Sequence, residues 1–260
     1  MQSHPTLSLI ILFFLICFSD ILSAQNMEKE TVIVPNKSWD LSKESEIEHY
    51  KNYSPDIISE YFILGTLRYF NLRKEDQIDL YQDYEEPLVN YLRTYIYEKF
   101  RFSLRKEQEN KGYAIYSQEL SKKISKYFDK EKKLKRCIFK SDEEICSFLL
   151  GVYYRDGYKI NDSIYKIQFI SAYHEQVYIL LKKISCGKIF YIRRKYVIPG
   201  FDVYYFEPSI LLKKYLDSIE TEKAELFKSY LELNKYNTQK EEIQDREKEK
   251  RMIESFFPVL

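Results

Sequence analysis

Glycine is scarce in this chain, six residues in 260. Gly65, Gly112, Gly151, Gly157, Gly187 and Gly200 stand too far apart to build a phosphate-cradling loop or a dinucleotide fingerprint, which need glycine where backbone meets ligand. Nucleotide-dependent enzymes of the usual kinds are therefore disfavoured. Histidine is scarcer, three in all. His49 and His174 are the two beyond the N-terminus, and each reads most simply as a solvated side chain. A Ser–His–Asp arrangement would need one of them, and no G-x-S-x-G elbow supplies the serine. None of the four cysteines stands two to four residues from another, which argues against zinc. No apolar run reaches the roughly 20 residues of a comfortable membrane helix. Net charge is only +1, so there is no global pull toward nucleic acid or an anionic membrane.

The weaker chemical signals do not add up to a site. Ser163–Lys166 and Ser185–Lys188 match S-x-x-K, without the companion S-D-N and K-T-G. Glu60, Asp83, Glu85, Glu86 and Asp202 are candidates for a carboxylate pair of the glycosidase kind, each with solvation as its default role. No catalytic, cofactor-binding or metal-ligating residue is assigned, and no cofactor is expected.

What is present begins with an address. Leu7–Phe18 is an apolar run of a dozen residues, followed by Ser23-Ala24 as a small-residue cleavage site before Gln25. That is the plan of a secretory signal, although the leading segment lacks Lys and Arg and Leu22 is bulky for its place. Ile16 before Cys17 argues against lipidation. An uncleaved anchor or a buried N-terminal helix are the alternatives. After cleavage Cys137, Cys146 and Cys186 remain; in an oxidising compartment Cys137 and Cys146 could pair and close a short loop, and three reduced or partly buried thiols are the equal alternative.

The chain is 45% hydrophobic, enough to build a core, which excludes wholesale disorder. Residues 164–206 are rich in Tyr, Ile, Phe and Val, with breaks at His174-Glu175, Ser185–Gly187 and Pro199-Gly200. This predicts consecutive antiparallel strands, with a hairpin pairing Leu180 with Ile192 and Tyr178 with Arg194. Before it, Ser54 and Pro55 predict a helix start over an all-apolar run. The acidic stretch 75–86 reads as a short helix or loop, and Pro87 opens a helix to about Lys106. Residues 117–136 form an amphipathic helix crowded with lysine. Ser141 and Glu144 make a capping box for the next helix. Asp156-Gly157 is a turn. Pro208 opens a further helix, and Thr238 with Glu241 caps a charged last one.

These features describe an α+β protein, with an antiparallel meander sheet over about 152–206 packed by helices from both the N-terminal and C-terminal flanks. The organisation is a signal at 1–24 and one domain over 25–260, with a polar arm at 25–52 and a charged C-terminal helix at 238–260. The expected function is that of an exported, periplasmic or secreted, non-catalytic envelope or binding protein, partnered by a macromolecule or by its own copy. The alternative is an exported hydrolase without a recognised motif, using scattered carboxylates or His174. A second alternative is a secreted nucleic-acid-binding protein using the lysine-rich helix with Arg193, Arg194 and Lys195. Export makes nucleic acid the least expected partner, and no membrane span is expected once the signal is cut. N-terminal sequencing of the exported protein should then begin at Gln25; a chain that retains Met1 in an extracytoplasmic fraction would replace cleavage by anchoring.

Overall fold

Two helices pack backbone against backbone at the centre of the chain. In a computed structural model the described residues are 50, 52–68, 74, 76–109, 112–131, 133–170, 174–194, 201–233 and 236–257. Helix α1, Ser59–Thr66, buries six of its eight residues. Helix α4, Asp142–Asp156, buries every residue from Ile145 to Arg155. Helices apolar on all sides belong inside a core. Their closest approach is at two glycines. A Cβ on Gly65 would lie 2.0 Å from the Phe148 carbonyl oxygen, and one on Gly151 2.0 Å from that of Phe62. The helices run in the same direction: Ile58 N–H donates to Ser147 Oγ at one end, and Arg155 reaches the Thr66 carbonyl at the other.

The start of α4 is the predicted capping box, with Ser141 Oγ accepting from Glu144 N–H and the Glu144 carboxylate accepting from Ser141 N–H. Asp142, Glu143 and Glu144 complement the positive end of the helix dipole. The start of α1 differs from expectation. It begins at Ser59 rather than at Pro55, with Ile58 as the N-cap residue; no side chain caps it, and the Ile58 amide donates to Ser147 of α4.

On either side of this pair lies a sheet. The first has strand order β1 (Gln77–Gln82), β3 (Gly112–Tyr116), β2 (Arg105–Glu109), all antiparallel. Helix α2 (Glu86–Phe100) follows β1 through a 3₁₀ turn at Asp83–Glu85. This sheet replaces the expected helix or loop at 75–86 and the C-terminal part of the helix expected up to Lys106. Two features hid it. Asp79 is a fully buried acid in mid-strand, and β2, of sequence RKEQE, is an edge strand with no apolar alternation.

The second sheet has order β4 (Tyr158–Lys159), β5 (Tyr165–Ile170), β7 (Phe201–Glu207), β6 (Gly187–Arg194), again antiparallel. The sheet expected from Val152 thus begins at Tyr158, after α4 has ended. The expected 178–194 hairpin is also corrected. Residues His174–Lys183 form helix α5, and β6 pairs with β7 instead. Val177, Leu180, Leu181 and Ile184 are buried while Ile179, Lys182 and Lys183 are exposed, a helical period carried by strand-favouring side chains.

Helix α3 is Gln118–Ser125, capped by Ser117, and ends well short of Arg136. Beyond the second sheet come α6 (Ile210–Ser218), capped by Ser209, then α7 (Glu220–Leu233) and α8 (Tyr236–Phe256). Thr238 lies inside α8 and so does not cap it. That helix covers the sheet face turned away from α4. Ile253 and Phe257 join Phe190, Val203 and Tyr205 in a small second core, and the Glu249 carboxylate accepts from the Lys166 ammonium and the Tyr158 and Tyr205 hydroxyls. The described residues thus hold eight α-helices and two antiparallel sheets, the expected α+β class. None of those helices is long and apolar enough to cross a membrane. The signal at 1–24, Trp39 and His49 fall outside the described residues.

Replacing Gly151 by Ala puts a methyl against backbone that cannot swing aside. The substitution should cost on the order of 3 kcal/mol, read as a fall in the urea midpoint at unchanged slope. Wild-type stability in the variant would mean that the two helices do not approach this closely.

Candidate functional site

The parallel pairing of α1 and α4 brings two helix C-termini together, each the negative end of its dipole. Two arginines occupy this place. Arg155 is 1% exposed at its side chain. Its Nε donates to Glu85 at 2.9 Å, Nη1 to Asp79 at 2.5 Å and the Thr66 carbonyl at 2.6 Å, and Nη2 to the Leu80 carbonyl at 2.8 Å and Glu85 at 3.3 Å. Every N–H of the guanidinium is used, and its Cζ lies over the Tyr81 ring, 4.4 Å from the ring centre. Arg68 Nε donates to Asp156 at 2.7 Å, with Nη2 also paired to that carboxylate and Nη1 3.4 Å from Glu85. The Arg68 amide donates to Asp79.

Burial opposes the charges of Glu85 and Arg155, yet their partners outweigh it. Arg155 and then Arg68 hold the Glu85 carboxyl below the ordinary carboxylate range. Glu85 and Asp79 keep the Arg155 guanidinium well above its usual value in spite of complete desolvation. A third cation borders the cluster. Burial, followed by the repulsion of Arg246, pushes Lys223 down to about 7, with its ammonium donating to the Tyr154 carbonyl. The cluster is thus a set of carboxylates already claimed by guanidinium groups. It ties β1, the 3₁₀ turn, α1 and α4 into one unit, and it leaves no unpaired acid poised to move a proton. Among the described residues no group of three or more His, Cys, Asp or Glu could hold a metal ion.

Of the carboxylates singled out from sequence, Asp83, Glu85 and Glu86 share one turn and the helix start after it, while Glu60 and Asp202 stand on other elements. Glu60 pairs with Lys123 at 2.6 Å and Lys126 at 3.2 Å, and accepts from the Tyr127 hydroxyl. Glu86 pairs with Lys106, and Asp83 is exposed beside Gln108. Asp202 is buried on β7, accepting from Tyr191. His174 opens α5 rather than joining two strands, and its side chain is outside the described set. Lys166 of the first S-x-x-K match is bound to Glu249. Cys137 is exposed, Cys146 is buried and both are free thiols, the reduced of the two alternatives. Burial pushes the Cys186 thiol up to about 12. Sequence reasoning missed Arg68, Asp79, Arg155 and Asp156. The available signal was a charge at Arg155 closing the mostly apolar stretch 145–154, a charge that has to be paired to be tolerated there.

The other notable place is basic. Residues 122–140 carry nine Lys and Arg against two acids. After α3 the chain turns through a single bridge, Phe128 with Leu134. Asp129 Oδ1 accepts from Glu131 N–H and Lys133 N–H and shapes the turn. Lys122, Lys126, Lys130, Lys133, Lys135 and Lys140 are exposed. Lys183 Nζ donates to the Phe139 carbonyl at 3.4 Å, which sets the end of α5, with exposed Lys182 and Lys183, beside this loop. Arg193 and Arg194 end β6 on the second sheet; their side chains, and all of Lys195, are outside the described residues.

No protein-family model matches the chain. No curated protein matches it either. Among solved structures it loosely resembles I-DmoI in complex with DNA and Mn, with a TM-score of 0.41 and 16% identity over 62% of this chain and 94% of that one. The complex of I-DmoI with DNA and Ca gives 0.39 and 16% over 65% and 96%. Full-length DUF199/WhiA from Thermatoga maritima gives 0.39 and 15% over 77% and 71%. No residue role is transferred across likenesses of this size.

Arg155→Met should cost about 3–5 kcal/mol at pH 7, because it strands buried carboxylates. The pH dependence should also reverse. In the wild type Glu85 lies below its unfolded pKa, so its contribution is present above that value and lost as pH falls. Without Arg155, burial dominates Glu85 and its folded pKa rises, so the variant should gain stability as pH falls from 7 toward 5. Urea titrations at the two pH values measure both signs. A variant that keeps the wild-type slope would contradict the pairing.

Proposed function

We propose that this protein binds nucleic acid through the lysine-rich surface formed by the end of α3, the loop 126–140 and the end of α5. The observation that carries the reading is the gathering of exposed cations from two separate parts of the chain onto one surface, Lys183 reaching Phe139. A chain of net charge +1 that concentrates nine cations against two acids in 19 residues, with Glu60 of α1 set against Lys123 and Lys126, keeps a strongly positive local balance despite a weak global one. Phosphate backbones are bound by such surfaces through counterion release, without any need for a catalytic group. Of the solved structures above, two contain DNA bound to I-DmoI, which is a property of that protein.

This reading takes up the alternative that export had made least expected. The more general expectation, a binding protein with a macromolecular partner, contains it. The hydrolase alternative gains nothing from the geometry, since Glu60, Glu85 and Glu86 are each engaged with cations and Asp202 accepts from Tyr191.

The test is binding of a fluorescent oligonucleotide by the full chain across a salt series. Affinity should fall steeply with salt, and each lysine removed from the loop should lower the logarithmic slope by about 1. Lys130→Glu with Lys133→Glu should weaken binding at least roughly tenfold at about 50 mM salt. Both side chains are exposed, so melting temperature should not change. Binding that ignores salt, or that survives the double charge reversal intact, would reject the proposal.

A further inference from the structure

We propose that the cavity between α1, α2 and the α6–α7 junction is a binding site for a small organic cation, an amine or quaternary ammonium carrying an apolar body. The inference does not rest on the nucleic-acid reading. The cavity has a volume of about 400 Å³, in the range that holds small ligands. Its floor is apolar, with Phe62 2% and Ile219 5% exposed. Its wall is aromatic: Tyr91 and Tyr95 stack at 5.8 Å and 23°, and Tyr95 lies 5.0 Å from Phe62. Ring faces attract cations through their quadrupole, and the attraction grows where water is excluded.

The rim supplies the charge. Glu98 and Glu222, both exposed, line the mouth together with one ammonium, Lys99. Two carboxylates against one cation leave a negative balance for a ligand to neutralise. Lys99 Nζ stands 5.9 Å from the centre of the Tyr95 ring, so this face already attracts a cation of the chain's own. Burial, and then the negative charge of Glu222, raise the Tyr91 phenol above its ordinary value. Its hydroxyl therefore stays protonated, and the wall adds no competing negative charge. An anion would meet two carboxylates here. A neutral apolar molecule would leave the rim unused. The pattern of aromatic wall and acidic rim selects a cation with an apolar body.

The probe is benzyltrimethylammonium chloride titrated into the full chain and followed by saturation-transfer NMR. Saturable binding with a Kd of about 1 mM or tighter is expected. 3-Phenylpropionate, similar in body and opposite in charge, should not bind. Glu98→Gln with Glu222→Gln should weaken the ammonium about fivefold or more, and Tyr91→Leu by a similar factor. Both carboxylates are exposed, so an unchanged melting temperature separates lost binding from lost folding. No saturation up to about 10 mM, equal binding of the two probes, or an undiminished double Gln variant would each overturn the site.

Discussion

The contact between the backbones of α1 and α4 at Gly65 and Gly151 is the constraint from which most of the structure follows. Any larger residue would hold the helices apart, and their ends would no longer converge. Because they run in parallel, their C-termini meet, and the carbonyls there present a concentrated negative potential. Arg68 and Arg155 answer it from within the helix pair. Those guanidiniums in turn need anions, which come from β1 and the turn after it as Asp79 and Glu85. The position of the first sheet is thus set by a chain of charge requirements that begins with two missing side chains.

The same logic explains why total charge says little about local charge. A value of +1 is the difference between 41 basic and 40 acidic residues, and these are not mixed evenly. Asp79, Glu85 and Asp156 are spent inside the fold, paired with arginines that solvent hardly reaches. Many of the lysines stay outside. The loop after α3 lacks the acids to balance its own cations, and the fold adds Lys182 and Lys183 to it. Screening over about 10 Å at ordinary salt makes the field near this loop depend on the local charges and not on the sum over the chain.

How much was legible depended on whether a feature was local. Ser141 with Glu144 was readable because a capping box involves only neighbours in sequence, and Asp156-Gly157 marked the end of α4 for the same reason. The α+β class followed from tyrosine- and isoleucine-rich runs between helical ones. Helix α5 was misread because Val177, Tyr178 and Ile179 favour strands, while the spacing of Val177, Leu180, Leu181 and Ile184, which decides the matter, fits a helix. Strand β2 was invisible because an edge strand paired by its backbone needs no apolar side chain. The arginine cluster was illegible for a deeper reason. Residues 68, 79, 85 and 155 meet only after two helices and a sheet have assembled, and nothing in their local spacing announces it.

Stability alone does not account for such a cluster. A buried ion pair seldom outperforms apolar side chains of the same volume, because desolvation of the charges offsets their attraction. What Arg155 adds is direction. Its five N–H groups point at four acceptors on three different elements, the Thr66 carbonyl at the end of α1, the Asp79 carboxylate and Leu80 carbonyl of β1, and the Glu85 carboxylate of the 3₁₀ turn. A leucine there would accept β1 shifted by two residues nearly as well; the guanidinium would not, since the shift would leave donors buried and unpaired. The cluster therefore selects one register among several of similar compactness, and its acids, fully occupied in doing so, are removed from any role toward a partner. The charges of the fold are thus divided between acids engaged with buried arginines and lysines of the loop after α3 that face solvent.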